Sequence, residues 1–166
     1  MYAFRGNLLK LRVENGYEIV EHPGASACII LHNNHILLVK QYRKALNEYT
    51  WEIPAGKIDS SDPEPLTTVI REVEEETGIK LDPKDLIYLG KIYTTPGFSN
   101  EIIHVYFVNL LHHPSLTPKD KDEIQEIKLF SIREFLELVS SNQIKDSKTL
   151  GGFCLAISRG LIKTQC

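Results

Sequence analysis

Cysteine is scarce in this chain, and so are the features that would direct it to a membrane or to nucleic acid. Cys28, Cys154 and Cys166 are odd in number and widely spaced, so they offer no disulfide framework and no paired thiolate metal site. Cys28 falls in an apolar stretch and reads as a small core residue. No apolar run approaches the ~20 residues of a membrane-spanning helix. The opening MYAFRGNLLK lacks the long apolar core of a secretory signal. A formal net charge of −3 supplies no basic footprint for nucleic acid. Repeats, low-complexity tracts and interdomain linkers are missing too. These absences leave a reducing cytoplasm as the default location, with neither a membrane nor a nucleic-acid partner expected.

What is present suits one globular domain over residues 1–166. Hydrophobic residues make up 42% and charged residues 25% of the chain, an ordinary balance with length enough for a substantial core. Two short strands are expected over 8–13 and 17–21, around the hairpin signal Asn15-Gly16. The nearly continuous apolar run 25–31 predicts a buried strand. Asn33-Asn34 can turn it back into a strand over 35–43. Residues 44–49 read as a polar loop, and 51–56 as a short strand ending in a tight turn. Segments 86–94 and 101–111 look like a strand pair, and 126–130 like a last strand. Ser131 can cap a helix over 132–140, with Glu134 in capping-box position. Asp146 can cap a final helix to about Leu161, in which Gly151-Gly152 is a weak point of ~1 kcal/mol per glycine. Strands, helix, strands, helices is an α+β order, accommodated by a mixed sheet with helices packed on it.

The most informative stretch is 56–79, GKIDSSDPEPLTTVIREVEEETGI. Asp62 is a good N-cap and Pro63 fits the first helical position. Gly78 stands where a left-handed C-cap glycine belongs. Leu66, Val69, Ile70, Val73 and Thr77 recur at helical spacing as a buried stripe. Thr68, Glu72, Glu75 and Glu76 then fall on the opposite side. At ~5.5 Å and an effective dielectric of ~20, each carboxylate pair there costs about 3 kcal/mol. Acidic helix faces are ordinarily just solvated. Clustered hard oxygens, however, suit Mg²⁺ or Mn²⁺, and Mg²⁺ commonly joins carboxylates to substrate phosphates.

This stretch resembles the Nudix box: glycine, five residues, glutamate, seven residues, then Arg-Glu-apolar-any-Glu-Glu-any-Gly-apolar. Gly56 and the run from Arg71 to Ile79 match it residue for residue. One extra residue stands between them, so the first glutamate of the box has no unique counterpart. Asp62 keeps the spacing from Gly56, and Glu64 is offset by one. The resemblance implies an α/β/α sandwich with a mixed β-sheet and a loop–helix–loop catalytic motif. By the same resemblance, Glu72 and Glu76 ligate Mg²⁺ (or Mn²⁺) and the Ala55 carbonyl adds another oxygen. Glu75 supports a metal or its water. Arg71 holds the box loops, with Gly56 and Gly78 in structural roles. The general base is expected from the loop before the last strand, at Glu123, with Asp120 and Asp122 as close competitors.

Segments outside the box resemble the ADP-ribose pyrophosphatase branch of that family. They are Glu21-His22-Pro23-Gly24-Ala25, Lys40-Gln41-Tyr42-Arg43, Trp51-Glu52-Ile53-Pro54-Ala55-Gly56-Lys57, Thr95-Pro96-Gly97-Phe98, Asp122-Glu123 and Ile144-Lys145-Asp146-Ser147-Lys148-Thr149. The branch implies hydrolysis of a nucleotide-sugar substrate, ADP-ribose, to AMP and ribose 5-phosphate. Arg43, Glu52, Thr95 and Gly97 would contact that substrate, and a homodimer would share the N-terminal strands within 1–24. Arg43 fits a surface salt bridge as readily as a phosphate contact, and the loop around Thr95 and Gly97 fits a plain β-turn. Another nucleoside-diphosphate sugar or a dinucleotide, GDP-mannose for example, is the nearest alternative. A non-catalytic ADP-ribose-binding domain is a further one, which the presence of all three box carboxylates opposes.

Overall fold

The computed structural model describes residues 1–59, 64–119 and 123–164. A seven-stranded mixed sheet forms its centre. It is built from β4 (Ala25–His32), β5 (His35–Arg43), β6 (Glu48–Glu52), β7 (Ala55–Lys57), β8 (Ile87–Tyr93), β9 (Ile102–Leu110) and β10 (Ile124–Ser131). The spatial order is β10-β5-β4-β9-β8, with β6 paired to β5 and β7 paired to β4. Among the described residues, β4 and β9 are the one parallel pair of strands in this sheet, from Ala25↔Ile103 to His32↔Leu110.

Side-chain alternation along these strands feeds two cores. Ala27, Ile29 and Leu31 join Ile36, Leu38, Val105 and Phe107 on one face, under α2 (Ile132–Ser140) and α3 (Ser147–Ser158). Cys28 and Ile30 join Leu37, Val39, Tyr106 and Val108 on the other, under α1 (Pro65–Thr77). A sheet covered on both faces explains why 25–31 reads as a continuous apolar run. The result is an α/β/α sandwich, as expected. Three N-terminal strands, β1 (Tyr2–Arg5), β2 (Lys10–Glu14) and β3 (Tyr17–Glu21), form a separate antiparallel sheet. Asn15 and Gly16 both take positive φ at the β2–β3 turn, the conformation that hairpin type requires.

Several boundaries differ from the sequence reading. β1 was not foreseen, because all four of its residues are exposed and leave no alternation to read. β6 begins at Glu48, inside the expected loop, and β10 begins two residues early at Ile124. The expected cap Asp62 and first helical residue Pro63 lie outside the described residues. The helix itself starts at Pro65, with Glu64 extended before it at φ −85, ψ 121. Proline fixes the start of a helix and holds the preceding residue extended, so the second Pro of the pair sets the boundary. α3 ends at Ser158, and its two glycines serve packing. A Cβ at Gly152 would come 3.2 Å from Val105 Cγ1 and 3.3 Å from Ile29 Cδ1. The bare helix face lets α3 lie close on β4 and β9.

Candidate active site

The acidic side of α1 is covered in part: Glu72 and Glu75 are half-buried and Glu76 is buried. Glu76 is only 6% exposed and Thr68 is fully buried. The cover comes from the sheet: Gln41 Nε2 on β5 donates to Glu76 Oε1 at 2.8 Å, and the Ala55 N–H on β7 donates to Oε2 at 3.1 Å. Burial is the main reason its carboxyl is pushed up to about 8, and the charge of Glu72, one helical turn back, adds to the effect. Glu72 is raised as well, first by burial, then by the charges of Glu75 and Glu123, with Arg71 opposing them. Arg71 Nη1 reaches Glu72 Oε1 at 2.7 Å and Glu75 Oε2 at 3.0 Å. It bridges the two carboxylates along the helix.

Gly56 explains itself through Glu72. A Cβ built on Gly56 would fall on the Glu72 carboxyl group, so β7 must pass this point without a side chain. β7 is held there by its pairing to β4 at Ser26↔Gly56 and Ala27↔Ala55. The Ser26 hydroxyl in turn donates to Pro65 O at 2.6 Å, tying the strand to the start of the helix.

Beside β7 opens a cleft of about 500 Å³, walled by Arg43, Glu52, Gly56, Lys57, Glu101 and Lys148. A somewhat larger cavity, about 600 Å³, lies between 78–87 and 108–115. No carboxylate of α1 lines it, so it is set apart from the box chemistry. Within the cleft Arg43 grips Glu52 in a fork, Nε to Oε1 at 2.7 Å and Nη2 to Oε2 at 2.5 Å. Lys148 pairs with the same carboxylate, and Thr50 Oγ1 donates to it at 2.5 Å. Lys148 also reaches Asp146 Oδ1 at 3.0 Å, and Asp146 caps α3 through Thr149 N at 2.9 Å. The structure thus engages Arg43 and Glu52 with each other. Nothing in local periodicity pointed to Gln41 or Lys148 as their neighbours' partners, although both stand in segments with a family likeness. Thr95 and Gly97 sit on an exposed loop, bonded to β3 through Val20 N to Phe98 O at 2.7 Å and Asn100 N to Val20 O at 3.2 Å. They do not line the cleft; the neighbouring Thr94 does. Glu123 is exposed, and its charge is felt at Glu72. Asp120 and Asp122 lie outside the described residues.

The Glu52 network gives a pH expectation. Burial alone would raise this carboxyl, but the hydrogen bonds and charges of Arg43 and Lys148 overcome it and hold the group at about 2. A folded-state value below the unfolded one stabilises the fold above the unfolded value of about 4.5. That contribution disappears as pH falls through 4 toward 2. Glu52→Gln should therefore lower the melting temperature at pH 7 by more than at pH 3, measured by thermal unfolding at both values.

The donor set suits a divalent cation. Its oxygens are hard, and a buried carboxylate, Glu76, feels the charge of a half-buried one, Glu72, an arrangement that a cation would relieve. The Glu72 carboxylate also has a glycine-lined seat of its own. Among the described residues, no three His, Cys, Asp or Glu side chains converge as placed. Arg71 draws off Glu72 and Glu75, while Gln41 and Ala55 draw Glu76. The residue types fit the group, and Arg71 is the side chain that would have to yield.

The chain belongs to the NUDIX domain family, whose pattern matches residues 21–149. It is 40% identical over 159 residues to the ADP-ribose pyrophosphatase of Bacillus subtilis (strain 168), covering 88% of this chain and 83% of that one. It is 39% identical over 158 residues to the methanol dehydrogenase activator of Bacillus methanolicus, covering 89% and 84%. A crystal structure of an ADP compounds hydrolase superposes with a TM-score of 0.72 at 17% identity, over 97% of this chain and 92% of that one; this likeness speaks for the fold. No helix among the described residues is long and apolar enough to cross a membrane.

Proposed function

We propose that this protein is a Nudix diphosphohydrolase that cleaves the pyrophosphate bond of ADP-ribose, giving AMP and ribose 5-phosphate. The observation that carries the reading is the pair of carboxylates Glu72, half-buried, and Glu76, buried, against β7 next to a cleft that contains cationic side chains. The 40% identity to an ADP-ribose pyrophosphatase over most of both chains supports the choice of substrate.

Glu72, Glu76 and the Ala55 carbonyl would hold Mg²⁺ (or Mn²⁺), with Glu75 in support. A divalent ion there would neutralise a diphosphate and acidify a water. The chain's own groups do the rest. Glu123 accepts the proton from the attacking water. The water oxygen forms a bond to one phosphorus, and the bridging P–O bond breaks toward the other phosphate. Arg43 is the more exposed partner of Glu52, at 41% against 10% for Lys148. It can therefore turn to a phosphate while Lys148 continues to neutralise Glu52. Thr95 and Gly97 would approach the substrate from their loop. A homodimer would form through β1–β3, where Met1, Phe4, Leu8 and Tyr17 are exposed, and the cytoplasm is the proposed location.

The test is a product assay with Mg²⁺ and a panel of ADP-ribose, GDP-mannose, UDP-glucose, NADH, diadenosine polyphosphates and nucleoside triphosphates. AMP plus ribose 5-phosphate, with ADP-ribose clearly preferred, is the expected result. Preference for another member of the panel would keep the site and overturn the substrate. Binding of ADP-ribose without hydrolysis would overturn the enzyme reading.

A further inference from the structure

Two consecutive residues at the start of α3 meet two consecutive residues at the end of β6. Lys148 Nζ pairs with the Glu52 carboxylate, and Thr149 Oγ1 accepts the Ile53 N–H at 2.9 Å. Both contacts cross 96 residues. Asp146 holds the two α3 side chains in place. Its Oδ1 accepts from Lys148 Nζ at 3.0 Å, and its Oδ2 accepts from the Thr149 N–H at 2.9 Å and from Thr149 Oγ1 at 2.6 Å. Glu52, Ile53, Lys148 and Thr149 are all buried. The Thr149 hydroxyl therefore donates once and accepts once, with no water needed to satisfy it.

The Ile53 contact falls at a break in the sheet. The β5–β6 ladder ends at Val39↔Glu52, and the β4–β7 ladder takes over at Ala27↔Ala55. Between them Pro54 has no N–H, and its carbonyl accepts from Cys28 N at 3.0 Å. The Ile53 N–H lies past the end of the β6 ladder and takes an acceptor from α3 instead. Two residues on, the Ala55 N–H donates to Glu76 Oε2. The segment 53–55 thus leads from a hydroxyl on α3 to a carboxylate on α1.

We propose that Thr149 is a positioning residue for Ala55. Its hydroxyl fixes the crossing from β6 to β7, and with it the place of Ala55 against Glu76. It acts through the backbone of 53–55 and not on the box carboxylates themselves. The last helix of the chain is in this way part of the support of the site, although it lies on the opposite face of the sheet from α1. This inference rests on the reading of Ala55 and Glu76 as groups that hold a divalent cation.

The test is titration of the substrate-free protein with Mn²⁺, with free Mn²⁺ read by electron paramagnetic resonance well below the melting temperature of every variant. Thr149→Val keeps the side-chain shape and the N–H that Asp146 accepts, and removes the acceptor of the Ile53 N–H. The Mn²⁺ dissociation constant should rise about 10-fold, the scale for residues that orient metal ligands. Activity at subsaturating Mn²⁺ should fall with it. Thr149→Ala makes the same deletion without turning a methyl group toward Asp146, and should agree. Thr149→Ser keeps the hydroxyl and should bind Mn²⁺ as wild type does. Ile132→Ala truncates the core under α2, and should lower the melting temperature while leaving the dissociation constant unchanged. Wild-type Mn²⁺ binding in Thr149→Val and Thr149→Ala would overturn the positioning role. So would an equal rise in Ile132→Ala, because lost stability alone would then account for the effect. Mn²⁺ binding that Glu76→Gln leaves untouched would overturn the metal reading itself, and the role of Thr149 with it.

Discussion

Glu76→Gln is expected to yield a folded protein whose turnover of ADP-ribose falls by well over 100-fold. The amide has nearly the shape of the carboxylate, and the site can absorb the change. Gln41 now donates from Nε2, and rotating its own amide presents an oxygen to the introduced NH2 group, while the Ala55 N–H keeps an acceptor. What is lost is a negative charge at the place where a cation would sit. Changes to residues that merely orient metal ligands typically cost 10–100-fold, and a ligand itself should cost more. Stability should move the other way. In the metal-free wild type, Glu76 is pushed up to about 8, chiefly by burial. A folded-state value above the unfolded one stabilises below about pH 4.5, and that benefit is lost as pH rises through 8. The variant has no charge to bury, so its melting temperature in chelator should gain on wild type between pH 5 and 9. Near-wild-type turnover would remove Glu76 from the metal-binding set.

Gly56→Ala should be nearly as damaging by a different route. The introduced methyl group meets the Glu72 carboxyl directly. The strand cannot retreat, because Gly56 is paired to Ser26 and Ala55 to Ala27. Helix α1 cannot retreat either, because Val69 and Val73 are fully buried beneath it. Glu72 must therefore leave its seat. We expect kcat to fall by about 100-fold, as for other small misplacements of reacting groups, and stability to fall by about 1–3 kcal/mol from overpacking. Urea unfolding with an unchanged slope, alongside steady-state kinetics, measures both. Full activity would mean that the Glu72 position does not matter to the reaction.

The elements legible from the sequence were those with a strong local signal. The strand His35–Arg43 and the helix Ile132–Ser140 were read to the residue, because turn asparagines bound the first and a capping box the second. The box was legible because its residue types are spaced along one helix. The start of α1 falls at Pro65, after an extended Glu64, and spacing alone does not choose between two prolines two residues apart. β1 was missed because it buries nothing.

The order of elements accommodated a mixed sheet with helices packed on it, the resemblance to the Nudix box added the two-sided sandwich, and spacing put Glu72, Glu75 and Glu76 on one stretch of helix. Helical period could not say which of them lies under cover. That depends on Gln41 and Ala55, whose contacts with Glu76 cross 35 and 21 residues. The pairing of Lys148 with Glu52 crosses 96, and the backbone N–H groups of Thr117 and Lys119 reach back to Thr77 O and Glu75 O at the end of α1. Charges and hydrogen-bond donors so far apart in the chain meet only after the sheet is assembled. Burial pushes both the Glu52 and the Glu76 carboxyl up, and the partners met there decide the outcome: two cations pull Glu52 down in spite of it, while a second carboxylate adds to the rise at Glu76.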